Sequence, residues 1–379
     1  MKPKQTFMIE SIKVRWLITF LMLSACVERI EFDVPEAQLL TVVEGMISDN
    51  PGPYTVTVSK GISLDADSSY RVPVENASIK LFDDEGNVEE FSEIRPGLYS
   101  TGGSMQGQIG HSYYIRIESS EGLVFESEPE RINQVGEIEN IRFEFEPRTI
   151  VESFGEIRAD VFNVFVDAKS GSDAGTYVRW KYTGTYKVIT YPELHFTNTP
   201  PYRPYKDPFP CSGYVIVPGP SGGTLERRAD CTCCTCWVND FEEAPQLSDV
   251  QFITANQFKN IKVGEVPINN ATFHEKYLVE VEQMSLSRKA FEFFKIVRAQ
   301  KEGASSIFQP LSGEIKGNIK SINTNESVVG IFWATSSLKK KLYIYPRDVP
   351  YLLTPIDFLT LPCYQFYHNA SSTKPINWE

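Results

Sequence analysis

Histidine is scarce in this chain of 379 residues, with only His111, His195, His274 and His368 present. None stands in a His-Glu-x-x-His pair, which would set two imidazoles on one helix face around zinc, so that hydrolase class is excluded. His274-Glu275 reads as a surface pair at a strand edge. No nucleophile elbow is evident. Ser104, beside Gly102-Gly103, has no base near it, and Pro218–Thr224 lacks both the lysine and the strand-to-helix setting of a phosphate loop. Carboxylates are plentiful, yet nothing in the sequence sets two of them at the roughly 5–10 Å spacing of a glycosidase pair. Positive charge is also short, with 37 Lys and Arg against 49 Asp and Glu and a net of −12. Nucleic acid, whose phosphates require a basic face, is therefore not an expected partner. Long hydrophobic runs are missing as well: Trp16–Leu23 is eight residues, and a membrane-spanning helix needs roughly 20.

That short run is informative because of its flanks. Lys2, Lys4, Lys13 and Arg15 precede it, and Leu23-Ser-Ala-Cys26 closes it. A basic start, a short apolar segment and small residues before a cut describe a secretory signal peptide. The cysteine at the cut makes Leu-Ser-Ala-Cys a lipobox, with Cys26 acylated and placed at the mature N-terminus. Acyl chains supply about 0.8 kcal/mol per buried CH2, so Cys26 is expected to tether the protein to a lipid bilayer. Removing residues 1–25 takes away four cations and one anion, a net of +3, and leaves the mature chain at −15.

Residues 26–37 read as a tether. The segment 38–135 shows short runs with period-two alternation, such as Tyr54–Ser59, Ala77–Phe82 and Ser112–Glu118, separated by Gly, Pro and Asp turns. About seven such strands predict an immunoglobulin-like β-sandwich. Residues 136–370 predict a larger β-rich domain, with strands at Ile141–Glu146, Val161–Val166, Tyr177–Ile189, Lys276–Glu282, Val328–Ala334 and Lys341–Tyr345. One amphipathic helix is expected at 287–302, with Ser287 as N-cap and Ala290, Phe294 and Val297 on its apolar stripe. The pattern dissolves between 191 and 243 into a Pro/Cys-rich loop, and 371–379 reads as a C-terminal tail. The fold class is therefore mainly β.

Several blocks carry a resemblance: Val42–Val56, Ser285-Leu-Ser with Phe291–Phe294, Ser306–Pro310, Gly317–Ile319 and Val329–Ala334. In this order and spacing they resemble a large family of Bacteroidota outer-membrane lipoproteins carried as a domain of unknown function. The resemblance spans nearly the whole mature chain. It implies an outer-membrane accessory lipoprotein partnering a TonB-dependent receptor, with no catalytic residue, cofactor or metal to carry over. An assembly lipoprotein and a metal-handling lipoprotein are the alternatives.

The densest chemistry is Asp230-Cys-Thr-Cys-Cys-Thr-Cys-Trp237. Four thiols so close suit one soft metal ion, redox-active thiols or disulfides. The spacing is not that of paired zinc knuckles, and the resembled family has a Cys-Cys-Trp element here, which favours staples. Neighbours in Cys-x-Cys pair poorly with each other. Bridges from Cys231, Cys233, Cys234 and Cys236 to Cys211 and Cys363, with one inside the cluster, are expected. The adjoining stretch, with Tyr202, Tyr205 and Phe209 among prolines, and Trp237 beyond the cysteines, forms the candidate contact surface, because aromatics on a stiff backbone lose little entropy on binding.

Overall fold

The computed structural model describes residues 40–61, 71–153, 155–171, 177–199, 203–219, 223–248, 256–303, 317–353, 359–376 and 378. In chain order the first strands are β1 (Thr41–Ser48), β2 (Thr55–Lys60), β3 (Val72–Pro73), β4 (Ser78–Asp83), β5 (Val88–Arg95), β6 (Leu98–Thr101), β7 (Ser112–Glu118), β8 (Val124–Ser127) and β9 (Glu130–Arg131). Next come β10 (Ile138–Glu146), β11 (Thr149–Glu152), β12 (Gly155–Arg158), β13 (Val161–Lys169) and β14 (Val178–Ile189). They are followed by β15 (Phe196–Thr199), β16 (Arg203–Lys206), β17 (Tyr214–Val217), β18 (Thr224–Arg227), β19 (Thr235–Phe241) and β20 (Gln246–Leu247). The remainder is β21 (Gln257–Pro267), β22 (Tyr277–Ser285), helix α1 (Arg288–Gly303), β23 (Ile319–Ser321), β24 (Val328–Thr335), β25 (Ser337–Ile344), a one-turn helix α2 (Cys363–Phe366) and β26 (Ala370–Ser371). Among the described residues no helix is long and apolar enough to cross a membrane.

The first nine strands alternate as their sequences require: Val43, Val56, Val58, Ile79, Leu81, Tyr113, Ile115 and Ile117 point inward and are buried together. They do not close a sheet alone. β24 lies parallel to β1, pairing Thr41 with Val328 through Ser48 with Thr335, and β23 pairs with β8. The result is a single eleven-stranded sheet ending in β23 at one side and β24 at the other, nearly closed like a barrel.

A side chain joins the two ends. Asn318 donates from Nδ2 to the Phe332 carbonyl at 2.6 Å and accepts the Phe332 N–H at 3.0 Å, imitating a pair of strand bonds. Gly317 and Gly330 make the approach possible, since a Cβ on Gly317 would lie 1.4 Å from the Gly330 oxygen. Strands from both sides of residue 135 thus belong to one sheet. Strand edges are unsatisfied until something pairs them, and here a segment almost two hundred residues downstream of β8 does so.

The chain then passes from β24 to β25 through Ser336 and enters a pair of further sheets. At this corner the Asp49 carboxylate accepts Ser336 Oγ at 2.5 Å and the Ser337 N–H at 2.9 Å. One sheet has the order β25-β22-β14-β19-β26 with β20 beside β14, and the other is β10-β13-β21. Their inner faces share one core that includes Phe162, Val164, Trp180, Tyr182, Val279 and Val281. Trp180 is fully buried and donates its indole N–H to Gln283 Oε1 at 2.8 Å, so its one polar atom is satisfied.

Ser287 caps α1 by accepting the Ala290 N–H at 3.1 Å. The helix buries Ala290, Phe291 and Phe294 with Ile331 and Trp333 of β24. Near the C-terminal end of the described residues, β26 pairs with β19, and Trp378 is 4% exposed.

Candidate functional site

Among its described residues, the Pro/Cys-rich segment 191–243 carries short turns and strands. A turn at Pro192–Leu194 leads into the hairpin β15–β16. A turn at Pro210–Ser212 leads into the hairpin β17–β18, and β19 takes its place between β14 and β26. Short strands bounded by prolines give little periodicity, and in β19 the alternation of buried Cys236 and Val238 with Thr235 and Trp237 is masked by the cysteines. Gly213 is required where it stands, with a φ of 76° and the Ala229 oxygen 2.3 Å from where a Cβ would be.

The six cysteines form three disulfides, Cys211–Cys233, Cys231–Cys234 and Cys236–Cys363. The first ties the two hairpins to the cysteine turn. The last ties β19 to α2 across 127 positions of sequence. Backbone bonds reinforce both links: Cys363 N–H donates to the Cys233 carbonyl at 3.2 Å, and Thr232 N–H to the Cys211 carbonyl at 2.9 Å. Bound in this way, the cluster offers no thiolate to a metal ion.

Of the aromatic candidates, Phe209 packs against His195 with ring centroids 4.6 Å apart, and its N–H donates to the Pro192 carbonyl. Tyr205 belongs to β16, paired with Thr197 of β15. Trp237 is half-buried on β19 opposite Lys187, and its buried Nε1 has no hydrogen-bond partner among the described residues. Tyr202 and Cys26 lie outside the described residues, so Phe209 and Trp237 are the candidates whose side chains the fold positions.

Sequence reasoning missed the exposed apolar side chains on these tied segments. Phe196 on β15 and Tyr364 in α2 are 51% and 54% exposed, and Leu194, Val215 and Phe366 are also exposed. A hydrophobic residue turned outward on a hairpin held by covalent staples is the signal that could have found them. It also passed over Gly219-Pro-Ser-Gly-Gly223, which has the G-x-S-x-G spacing. Its described flanks are two paired strands, β17 and β18, and not a strand followed by a helix.

A second feature was also missed. A cleft of about 830 Å³ is lined by Asp240 of β19, Glu242 and Glu243 just after it, Lys262 and Glu265 of β21, and by Tyr182 and Glu302. Its carboxylates are differently held. Arg148 bonds both oxygens of Glu265 at 2.7 and 2.8 Å, and with help from Lys262 this brings its pKa down to about 2. Glu242 pairs with Arg179 at 2.5 Å and accepts the Tyr182 N–H. Asp240 accepts the Tyr277 hydroxyl at 2.9 Å, and Tyr277 in turn shares a bond with the Tyr182 hydroxyl at 2.9 Å. Burial pushes the Asp240 pKa up, a shift the Tyr277 bond opposes, and it raises both tyrosines as well.

A family model described as "Domain of unknown function (DUF4249)" matches residues 27–341. No curated protein matches the chain.

Proposed function

The chain belongs to the DUF4249 family of domains of unknown function, and from that premise we propose that it is a lipid-anchored accessory protein of the outer membrane. It binds a partner and catalyses nothing, and the partner is a TonB-dependent transporter. The observation that supports this reading most is the setting of the exposed Phe196, Val215 and Tyr364 on segments that three disulfides join. Exposed aromatics that are already immobilised lose little entropy on association, the property of residues that anchor interfaces.

Disulfides persist in oxidising compartments, which agrees with export directed by residues 1–25. Leu-Ser-Ala-Cys26 then supplies the anchor, and the barrel-like sheet follows it in the chain.

The test is an affinity pull-down of the tagged full-length protein from gently solubilised outer membranes, with mass spectrometry of what co-purifies. A TonB-dependent receptor at near-equal stoichiometry is expected, with its yield reduced in a Phe196→Ser, Tyr364→Ser variant. Recovery of the lipoprotein alone would remove the reading.

A further inference from the structure

The three bridges are unequally protected, and the order is clear. Cys236 and Cys363 are both buried, at 1% and 0% exposure. Cys211–Cys233 has one buried partner, Cys233 at 2%, and one part-exposed partner. Cys231 and Cys234 are both part-exposed, and of the three bridged pairs they alone have the Cys-x-x-Cys spacing. Thiol–disulfide exchange requires an in-line approach of a thiolate to a sulfur, so access governs which bridge is attacked first.

The backbone around the exposed bridge does not depend on it. Thr232 N–H is held by the Cys211 carbonyl, the Cys233 carbonyl accepts Cys363 N–H, and the Cys234 carbonyl accepts Thr190 N–H at 2.8 Å. With the neighbouring bridges intact, these bonds keep Cys231 and Cys234 near their Cα separation of 5.7 Å. That value lies within the range a disulfide needs to form again.

From this we propose that Cys231–Cys234 is a redox-active disulfide, an exchange site for an external dithiol, mounted on a turn that the two protected bridges hold in place. A thiolate of the dithiol attacks one of the two sulfurs. The Cys231–Cys234 bond breaks, a mixed disulfide forms, and the other cysteine leaves as a thiolate and takes up a proton. The second thiolate of the partner attacks the mixed disulfide. The partner departs as a disulfide, having given two electrons, and Cys231 and Cys234 remain as thiols. The staples and the exchange site thus divide the six cysteines between two tasks.

Stepwise reduction of the full chain tests this. Native protein is treated with increasing dithiothreitol, quenched with iodoacetamide and mapped by peptide mass spectrometry, with circular dichroism recorded at each step. Cys231 and Cys234 are expected to be alkylated first, at a rate about tenfold or more above the other four, with the spectrum unchanged. Opening of Cys211–Cys233 or Cys236–Cys363 before or together with Cys231–Cys234, or loss of structure at the first step, would overturn the proposal. A Cys231→Ser, Cys234→Ser variant should lack the first labelling step, and a fast-labelling pair that persists in it would overturn the proposal equally. The order measured on the unaltered chain decides the matter even where that variant fails to fold. Neither result depends on what the lipoprotein binds.

Discussion

Replacing Cys236 and Cys363 together by alanine should destabilise the protein far more than replacing Cys231 and Cys234. A disulfide acts chiefly by restricting the unfolded chain, and its effect grows with the logarithm of the loop it closes. Cys236 and Cys363 are 127 positions apart, which corresponds to about 5 kcal/mol. Cys231 and Cys234 are 3 apart, which corresponds to about 1.5 kcal/mol. The long loop encloses β21, β22, α1, β23, β24 and β25, so its closure restrains strands of both sheet systems. Urea unfolding at equilibrium, in oxidising buffer, measures the difference. At a slope of roughly 3 kcal/mol per molar, a gap of about 3 kcal/mol separates the two midpoints by about 1 M. Equal midpoints, or a greater loss from the Cys231/Cys234 variant, would refute the argument that loop length sets the contribution of these bridges.

Trp180→Ala empties the centre of the second core and leaves Gln283 Oε1 without its donor. A loss of about 3–5 kcal/mol is expected in chemical denaturation, with the orphaned amide adding to it. Asn318→Ala removes both bonds that join β23 to β24. It should cost about 1–3 kcal/mol and speed hydrogen exchange at Phe332 more than at Val56. Asp240 has a folded pKa raised by burial, so its favourable contribution is complete below the unfolded carboxylate pKa and is lost as pH rises through the folded value. Asp240→Asn should therefore flatten the stability–pH profile across that window, and an unchanged profile in thermal melts would contradict the burial. Glu265 runs the other way: Arg148 holds its pKa near 2. Its contribution is present above about pH 4.3 and disappears as pH falls toward 2, so an Arg148→Ala variant should show a shallower acid limb.

Strand identity was legible wherever one face of a strand is buried. In Tyr54–Ser59 the inward residues Val56 and Val58 alternate with outward threonines, and the structure places β2 there, starting one residue later. Helix α1 was equally legible, because Ser287 caps it and Ala290 and Phe294 fall on one stripe. What local pattern does not encode is pairing at long range. Nothing in Val328–Thr335 says that it lies parallel to β1, in a register that sets Val43 against Gly330. The cysteine-rich stretch hid β19 for a different reason, since its cysteines and threonines carry no clear hydrophobic period. Tyr182, Asp240 and Tyr277 belong to three strands and meet only once β14, β19 and β22 are side by side. The cleft that Tyr182 and Asp240 line was therefore out of reach of sequence reasoning, whereas the cysteines and prolines that mark the stapled face were in plain view.

The measurement that bears most directly on the accessory-protein reading is site-specific photo-crosslinking in intact cells. A photoreactive phenylalanine analogue is introduced at Tyr364 or Phe196, and separately at the exposed Val88 of the barrel-like sheet. The account predicts one discrete high-mass adduct from Tyr364 and Phe196, containing a TonB-dependent receptor, and none from Val88. Equal crosslinking from all three positions, or none from Tyr364 and Phe196, would contradict it.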